Sequence, residues 1–296
     1  MRSGMVAVVG RPNVGKSSLV NALVGRKVSI VTRKPQTTRH RIQGVLHRPE
    51  GQIVLVDTPG LHLKQGRAIN RYLNDTAAAS LPGVDLALFV IEAGRWNEED
   101  EAVLKRLARA QAPVGLVINK VDRVADKKRL LPEIEAHAAR RDYAFILPVS
   151  ALKRDNLDGL VREMLARMPE GPALYPEDQV EGQDLPFVLA EIVREKLMER
   201  LRQELPYVLT VQIEKLEREA GLTRVEAVIW VERENQKAIV IGEKGQALKA
   251  VGTAARKEME GRLGQQVFLK LWARSAKNWT DDAQALKRFG YSGSEG

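Results

Sequence analysis

The chain reads as an α/β domain on a mostly parallel sheet with helices on both faces, followed by a smaller α+β domain. Three observations carry that prediction. A β-branched strand pattern, Met5–Val9, runs into Gly10-Arg11-Pro12-Asn13-Val14-Gly15-Lys16-Ser17, and a helical pattern follows. From there to about Met168 strand and helix patterns alternate. Beyond a stretch rich in Pro, Gly and acid, Pro169 to Pro186, the order changes to a helix, a run of strands and a Gly-x-x-Gly turn.

The chain has 296 residues, enough for two hydrophobic cores. Its composition, 44% hydrophobic and 29% charged, is that of a soluble globular protein. There is no Cys, which excludes disulfides, thiol catalysis and thiolate metal sites. The four His are scattered, which argues against a zinc enzyme. The apolar run after Arg2 stops at Gly10, too short for a signal peptide. No run approaches the roughly 18 apolar residues of a membrane span, so the expected location is the cytoplasm. A net charge of +9 points to an anionic partner, and its distribution sharpens the point. Residues 186–236 sum to −2 and residues 237–277 to +6.

Gly10–Ser17 fits G-x-x-x-x-G-K-[ST], the phosphate-cradling P-loop. Gly10 and Gly15 let the backbone bend so that successive N–H groups, those of Asn13, Val14, Lys16, Ser17 and Ser18 among them, face phosphate oxygens. The following helix adds its positive end. Lys16 can reach the β and γ phosphates, and the Ser17 hydroxyl can ligate Mg²⁺. A polar loop, Thr32–Arg41, leads to two strand patterns, Ile42–His47 and Gln52–Val56, around the turn Pro49-Glu50-Gly51. The second strand ends in Asp57-Thr58-Pro59-Gly60. Asp57 can hold Mg²⁺ through water, and the Gly60 N–H can sense the γ-phosphate without a side chain in the way.

Helical patterns then cover Arg67–Ser80, Glu98–Ala110, Asp126–Arg141 and Asn156–Met168, and strand patterns cover Val84–Glu92, Val114–Ile118 and Ala144–Val149. Ligands of such sheets bind at the C-terminal strand ends, where Gly10, Asp57, Asn119 and Ser150 all fall. In Asn119-Lys120-Val121-Asp122 the carboxylate can accept two hydrogen bonds from the N1–H and amine of guanine. Adenine offers no matching pair, and an unpaired buried acceptor is costly. Asn119 can tie the loop together, the Lys120 stem can lie over the base, and Ser150-Ala151 can offer a backbone N–H to the guanine oxygen.

These five motifs resemble those of the translation-factor-type GTPases. The resemblance implies GTP as substrate and GDP as product, Lys16, Thr38 and Gly60 as catalytic, and Ser17, Thr38 and Asp57 around Mg²⁺. Thr38 is the expected switch threonine and Thr37 the alternative. Ras-like enzymes orient water with a Gln after Asp-x-x-Gly; here that position is Leu61. The resemblance is therefore to GTPases that are slow alone and take help from a partner, a cation or a rearranged loop. In relatives that use K⁺, an Asn at the place of Asn13 ligates it.

In the second part Phe187–Glu204 and Ala247–Arg262 have helical spacing, and Tyr207–Glu214, Val225–Glu232, Ala238–Ile241 and Val267–Trp272 read as strands. A short helix is expected over Asp281–Phe289. The basic segment holds Ile241-Gly242-Glu243-Lys244-Gly245 and a helix after it, the KH pattern that clamps about four single-stranded nucleotides. Lys244, Gly245, Lys249, Arg256 and Lys270 are the expected RNA contacts, with Ile241, Gly242 and Glu243 in the turn.

A five-motif domain, a type II KH domain, Pro35-Gln36-Thr37-Thr38-Arg39 and the Asn278-Trp279 region together resemble the Era family across essentially the whole chain. The expected divisions are a nucleotide domain over 1–170, a linker over 171–186, a KH domain over 187–278 and a C-terminal helix and tail over 279–296. The resemblance implies a GTP-hydrolysing switch that binds single-stranded rRNA near the 3′ end of the small-subunit rRNA. Its role would lie in assembly of the small (30S) ribosomal subunit and rRNA maturation, as a monomer. It also implies peripheral contact with the inner face of the cell membrane. Lys127, Lys128 and Arg129 beside Leu130 and Leu131 suit anionic lipid, though the plainer reading is a solvated helix end. Two other readings are a passive RNA-binding module with structural nucleotide and a P-loop metabolic kinase.

Overall fold

The computed structural model describes residues 1–60, 67–203 and 205–291. The nucleotide domain runs β1 (Arg2–Val9), α1 (Lys16–Val24), β2 (Ile42–Arg48), β3 (Gly51–Asp57), α2 (Ala68–Ala79), β4 (Leu86–Glu92), α3 (Glu98–Leu107), β5 (Val114–Asn119), α4 (Leu130–Ala138), β6 (Phe145–Pro148) and α5 (Leu157–Leu165). The strand order is β2-β3-β1-β4-β5-β6, and β2 alone runs antiparallel, as the hairpin partner of β3. Strands β3, β4 and β5 are buried at every position, as expected where helices cover both faces. Leu19 and Leu23 of α1 pack with Leu160 and Met164 of α5 on one face. Ala77 of α2 and Val103 and Leu107 of α3 pack on the other.

The second domain comprises α6 (Leu185–Arg200), β7 (Thr210–Glu219), β8 (Leu222–Val231), α7 (Glu234–Ile241), α8 (Gln246–Leu263), β9 (Gln266–Ser275) and α9 (Ala283–Arg288). Its sheet is an antiparallel β7–β8 pair with β9 parallel to β8. Ile192 of α6 and Met259 of α8 pack on the inward positions Val225, Ile229 and Val267.

One element differs from expectation. Ala238–Ile241 is the last turn of α7, so the Gly-x-x-Gly turn joins two helices. Four apolar residues suit either period, and the flanks decide. The Gln236 side chain accepts from the Glu232 and Arg233 N–H groups at 3.0 Å and starts a helix. In that helix Val240 is buried in the core and Ile241 packs half-buried against it, while Ile239 is left 57% exposed.

The expected linker lies on the sheet edge. The Val45 N–H donates to the Val180 carbonyl at 3.0 Å and the Gly182 N–H to that of Gln43 at 3.1 Å. Buried Gln52 holds the strap further along, accepting from the Leu174 and Tyr175 N–H groups at 2.7 and 2.9 Å. Edge strand β2 is thereby covered. Beyond β9 the chain returns to the nucleotide domain. Trp279 is fully buried with Ile69 of α2, Leu286 of α9 and Tyr291. Among the described residues no helix is long and apolar enough to cross a membrane.

Candidate functional site

The P-loop leaves β1 through backbone conformations that only a few residues tolerate. Asn13 and Gly15 have φ of 63° and 100°. A Cβ on Gly15 would stand 2.4 Å from the Asn119 Nδ2, so this glycine also permits close approach of the base loop. Asn119 donates to the Val14 carbonyl at 3.0 Å and accepts from the Ala151 N–H at 3.1 Å, tying three predicted motifs together. Val14 itself is a core side chain and offers the site only its backbone. Lys16 Nζ donates to the Gly10 and Arg11 carbonyls, each at 3.0 Å. Burial brings its pKa down to about 8, with Asp57 opposing.

Three oxygens converge beside Lys16. Ser17 Oγ and Thr38 Oγ1 lie 2.9 Å apart, and Thr38 Oγ1 donates to Asp57 Oδ2 at 3.4 Å. Asp57 is fully buried, its Oδ1 has no hydrogen-bond partner, and burial pushes its pKa up. A buried carboxylate with an orphaned oxygen beside two hydroxyls suits a hard divalent cation. Thr37 turns the other way, its Oγ1 donating to the Lys34 carbonyl at 2.7 Å. Thr58 is also turned away, bonded to the Val8 carbonyl at 2.8 Å. Gly60 touches the P-loop so closely that a Cβ would meet the Pro12 nitrogen at 2.8 Å. Leu61 lies outside the described residues.

At the base end, Lys120 adopts φ 65° and turns the chain into a single 3₁₀ turn, Val121–Arg123. Ser150 Oγ donates to Asp122 Oδ1 at 2.5 Å and itself accepts from the Lys153 N–H at 3.0 Å. The carboxylate is thus aimed by a relay from the neighbouring strand end. Lys120 Nζ spans to the Asn13 carbonyl at 2.5 Å and to Glu92 Oε2 at 2.8 Å. Burial lowers its pKa, with Glu92 opposing.

Glu92 was missed by the sequence reading, yet it was legible. It ends β4 in register with Asn119, and it gathers Lys120, Arg123, Arg95 and Arg11 within 4 Å. Arg11, paired with buried Asp100 at 2.9 Å, gave no such signal. These loops enclose a cavity of about 1040 Å³ that reaches Ser18 of α1 and is walled on one side by Met198 and Glu199 of α6.

The comparisons match this geometry. Residues 5–120 fit the model of the 50S ribosome-binding GTPases, and residues 204–280 that of the KH domain. GTPase Era of Xanthomonas oryzae pv. oryzae is 55% identical over 290 residues, covering 98% of this chain and 97% of that one. The chain belongs to the Era family. GTPase Era of Stenotrophomonas maltophilia is 54% identical over 288 residues, covering 97% of each chain. An Aquifex aeolicus Era variant bound to GDP·AlF₄⁻ superposes with a TM-score of 0.95 at 39% identity, covering 99% of this chain and 100% of that one. Era in complex with MgGDPNP and nucleotides 1506–1542 of 16S ribosomal RNA also gives 0.95 at 39% identity, covering 99% of each. This Era-family chain is therefore a GTPase with a P-loop domain and a KH domain.

The KH turn presents Gly242, Lys244 and Gly245 at φ 73°, 49° and 76°. A Cβ on Gly242 would meet that of Ala247 at 2.6 Å. Glu243 and Lys244 are exposed at the tip, and half-buried Ile241 closes the helix behind them. The turn delivers the chain to the N-terminus of α8, whose free N–H groups favour phosphate. Lys249 and Arg256, seven residues apart on α8, share its face, and Arg256 pairs with Glu260 at 3.4 Å. Lys270 does not join them. It lies on the sheet face away from the helices, 5.3 Å from the Trp272 ring, because β9 alternates and Leu269 and Leu271 take the inward positions. The +6 sum counted it with a cluster from which the strand period separates it.

Proposed function

We propose that this GTPase is a GTP-controlled switch that binds single-stranded rRNA near the 3′ end of the small-subunit rRNA and acts in small-subunit assembly and rRNA maturation. One observation carries the reading: the wall of the nucleotide cavity includes Met198 and Glu199 of α6, the helix that packs with α8 behind the Gly-x-x-Gly turn. The resemblance to an Era bound to a 16S rRNA segment supports the choice of RNA.

In this reading the P-loop N–H groups and Lys16 hold the phosphates, and Asp122 selects guanine. Ser17, Thr38 and Asp57 would hold Mg²⁺, which neutralises developing charge on the phosphates. Gly60 offers its N–H to the γ-phosphate. Asn13, exposed beside Lys120, is the residue we assign to K⁺. Lys244 and the N-terminus of α8 hold the RNA backbone.

The test is crosslinking of GDPNP-bound protein to small-subunit rRNA, mapped to the nucleotide. Crosslinks from the 242–249 segment to the single-stranded 3′ end are expected. Crosslinks confined elsewhere would overturn the assignment. RNA affinity equal in the GDPNP and GDP states would favour the passive RNA-binding reading.

A further inference from the structure

The loop that carries Thr38 is held from the KH side. Arg194 of α6 is 1% exposed, and its Nη2 donates to the Thr37 carbonyl at 2.5 Å. Its own position is fixed by Glu191, which takes Nε at 2.6 Å and Nη2 at 2.6 Å in a fork. The Thr37 carbonyl belongs to the peptide plane that leads into Thr38, and one residue later Arg39 is fully buried. Its guanidinium donates to the Leu209 carbonyl at 2.7 Å and the Pro206 carbonyl at 2.9 Å. Earlier in the loop the Val31 N–H donates to Glu195 at 3.0 Å, and Lys34 donates to the Met198 and Leu201 carbonyls. Thr38 faces the other way, onto Ser17 and Asp57.

We propose that Arg194 is a positioning residue for GTP hydrolysis, supplied by the RNA-binding domain: by fixing the Thr37–Thr38 peptide plane it holds the Thr38 hydroxyl beside Ser17 and Asp57. The inference rests on the reading of Thr38 as the switch threonine. A buried guanidinium is costly unless its donors are used: Glu191 takes Nε and Nη2, and Nη1 donates to Met198 Sδ at 3.2 Å. Nη2 also donates to a carbonyl of the nucleotide domain, that of Thr37, one residue before Thr38. Docking of α6 and the geometry of Thr38 are therefore one event. GDP makes no demand on Thr38, so its binding is independent of the tie.

The experiment uses the full chain. Glu191→Met with Arg194→Met removes the pair without leaving a buried charge. Arg194→Lys keeps the charge but, with one donor nitrogen in place of three spread over a plane, cannot reproduce the fork to Glu191 and reach Thr37 together. Thr38→Ala is the reference. Turnover of GTP, half-saturating Mg²⁺ and GDP affinity are measured for each. In the double variant we expect kcat to fall and half-saturating Mg²⁺ to rise about tenfold, the loss of one charge-assisted hydrogen bond, with GDP affinity within twofold. Arg194→Lys should fall between. If the double variant does not fold, Arg194→Lys decides: a rise of about threefold in half-saturating Mg²⁺ supports the inference, and an unchanged value overturns it. Unchanged kcat and Mg²⁺ dependence in the double variant, with Thr38→Ala impaired, overturns the inference and leaves the Thr38 reading standing. An unimpaired Thr38→Ala removes the Thr38 reading and the inference with it.

Discussion

Asp122→Asn replaces one carboxylate oxygen with an amide donor in a site where both oxygens have work. Ser150 Oγ already donates to Oδ1 at 2.5 Å, and the Lys153 N–H holds Ser150 in turn. The carboxylate therefore cannot rotate freely, and in the proposed reading its remaining lone pairs take the two donors of guanine. Guanine brings two donors, N1–H and the exocyclic amine. A hydrogen bond to a charged group contributes about 1.5–3 kcal/mol, and the variant loses charge on both and turns one partner into a facing donor. A loss of about 3–4 kcal/mol follows, on the order of 10²- to 10³-fold in affinity for guanine nucleotides. Xanthine carries a carbonyl where guanine carries the amine, so the same amide becomes complementary to it. The assay is competition of GDP and xanthosine diphosphate for a fluorescent nucleotide on the unaltered and variant chains. We expect the preference to reverse. GDP affinity within threefold of the original would refute the assignment of Asp122, whatever xanthosine diphosphate did.

Gly60→Ala places a Cβ 2.8 Å from the Pro12 nitrogen and 2.9 Å from its Cα, both backbone atoms that cannot step aside. Single-turnover GTP hydrolysis should fall at least about tenfold, while GDP affinity, measured by fluorescence, changes little. Lys244→Glu places a negative charge at the tip of the KH turn. Affinity for single-stranded RNA should drop about tenfold and its salt dependence should flatten, as titrations at several ionic strengths would register. His40 stacks on Tyr291 with ring centroids 4.7 Å apart, and burial brings its pKa from 6.5 down to about 4. Between those values the unfolded chain binds more protons than the folded one, so stability falls as pH drops, by about 2 kcal/mol at pH 5. Urea unfolding at pH 7.5 and pH 5 should show that loss, and His40→Phe should remove it.

The nucleotide domain was legible because its signals are local and repeated. Each strand is an apolar run, each run ends in a residue with chemistry, and a parallel sheet brings those ends to one edge. That rule placed Gly10, Asp57, Asn119 and Ser150 together, and applied to the end of β4 it would have placed Glu92 there too. The KH domain was legible in outline and not in detail. Ile239, Val240 and Ile241 are too few to show a period, so a helix end read as a strand. Lys270 was grouped with Lys244 by net charge, but strand alternation puts it on the opposite face. The strap over β2 carried no pattern, because backbone hydrogen bonds to an edge strand ask nothing of the side chains.

The contacts between the two domains were illegible for a different reason. Thr37, Thr38 and Arg39 are three consecutive residues with three destinations: a carbonyl to α6, a hydroxyl to Ser17 and Asp57, and a guanidinium to the segment that opens β7. Nothing in Pro35–Arg39 taken alone assigns those directions. They follow from the peptide geometry once both ends are anchored. A shift of the run by one residue would carry Arg39 toward Ser17 and Asp57 and leave the buried carbonyls of Pro206 and Leu209 without its guanidinium, each at a cost of about 1–3 kcal/mol. The register of this loop is therefore tied to the KH domain through the Thr37 carbonyl and the Arg39 guanidinium. In the switch we propose, this contact is the physical means by which the KH domain would feel whether GTP is bound.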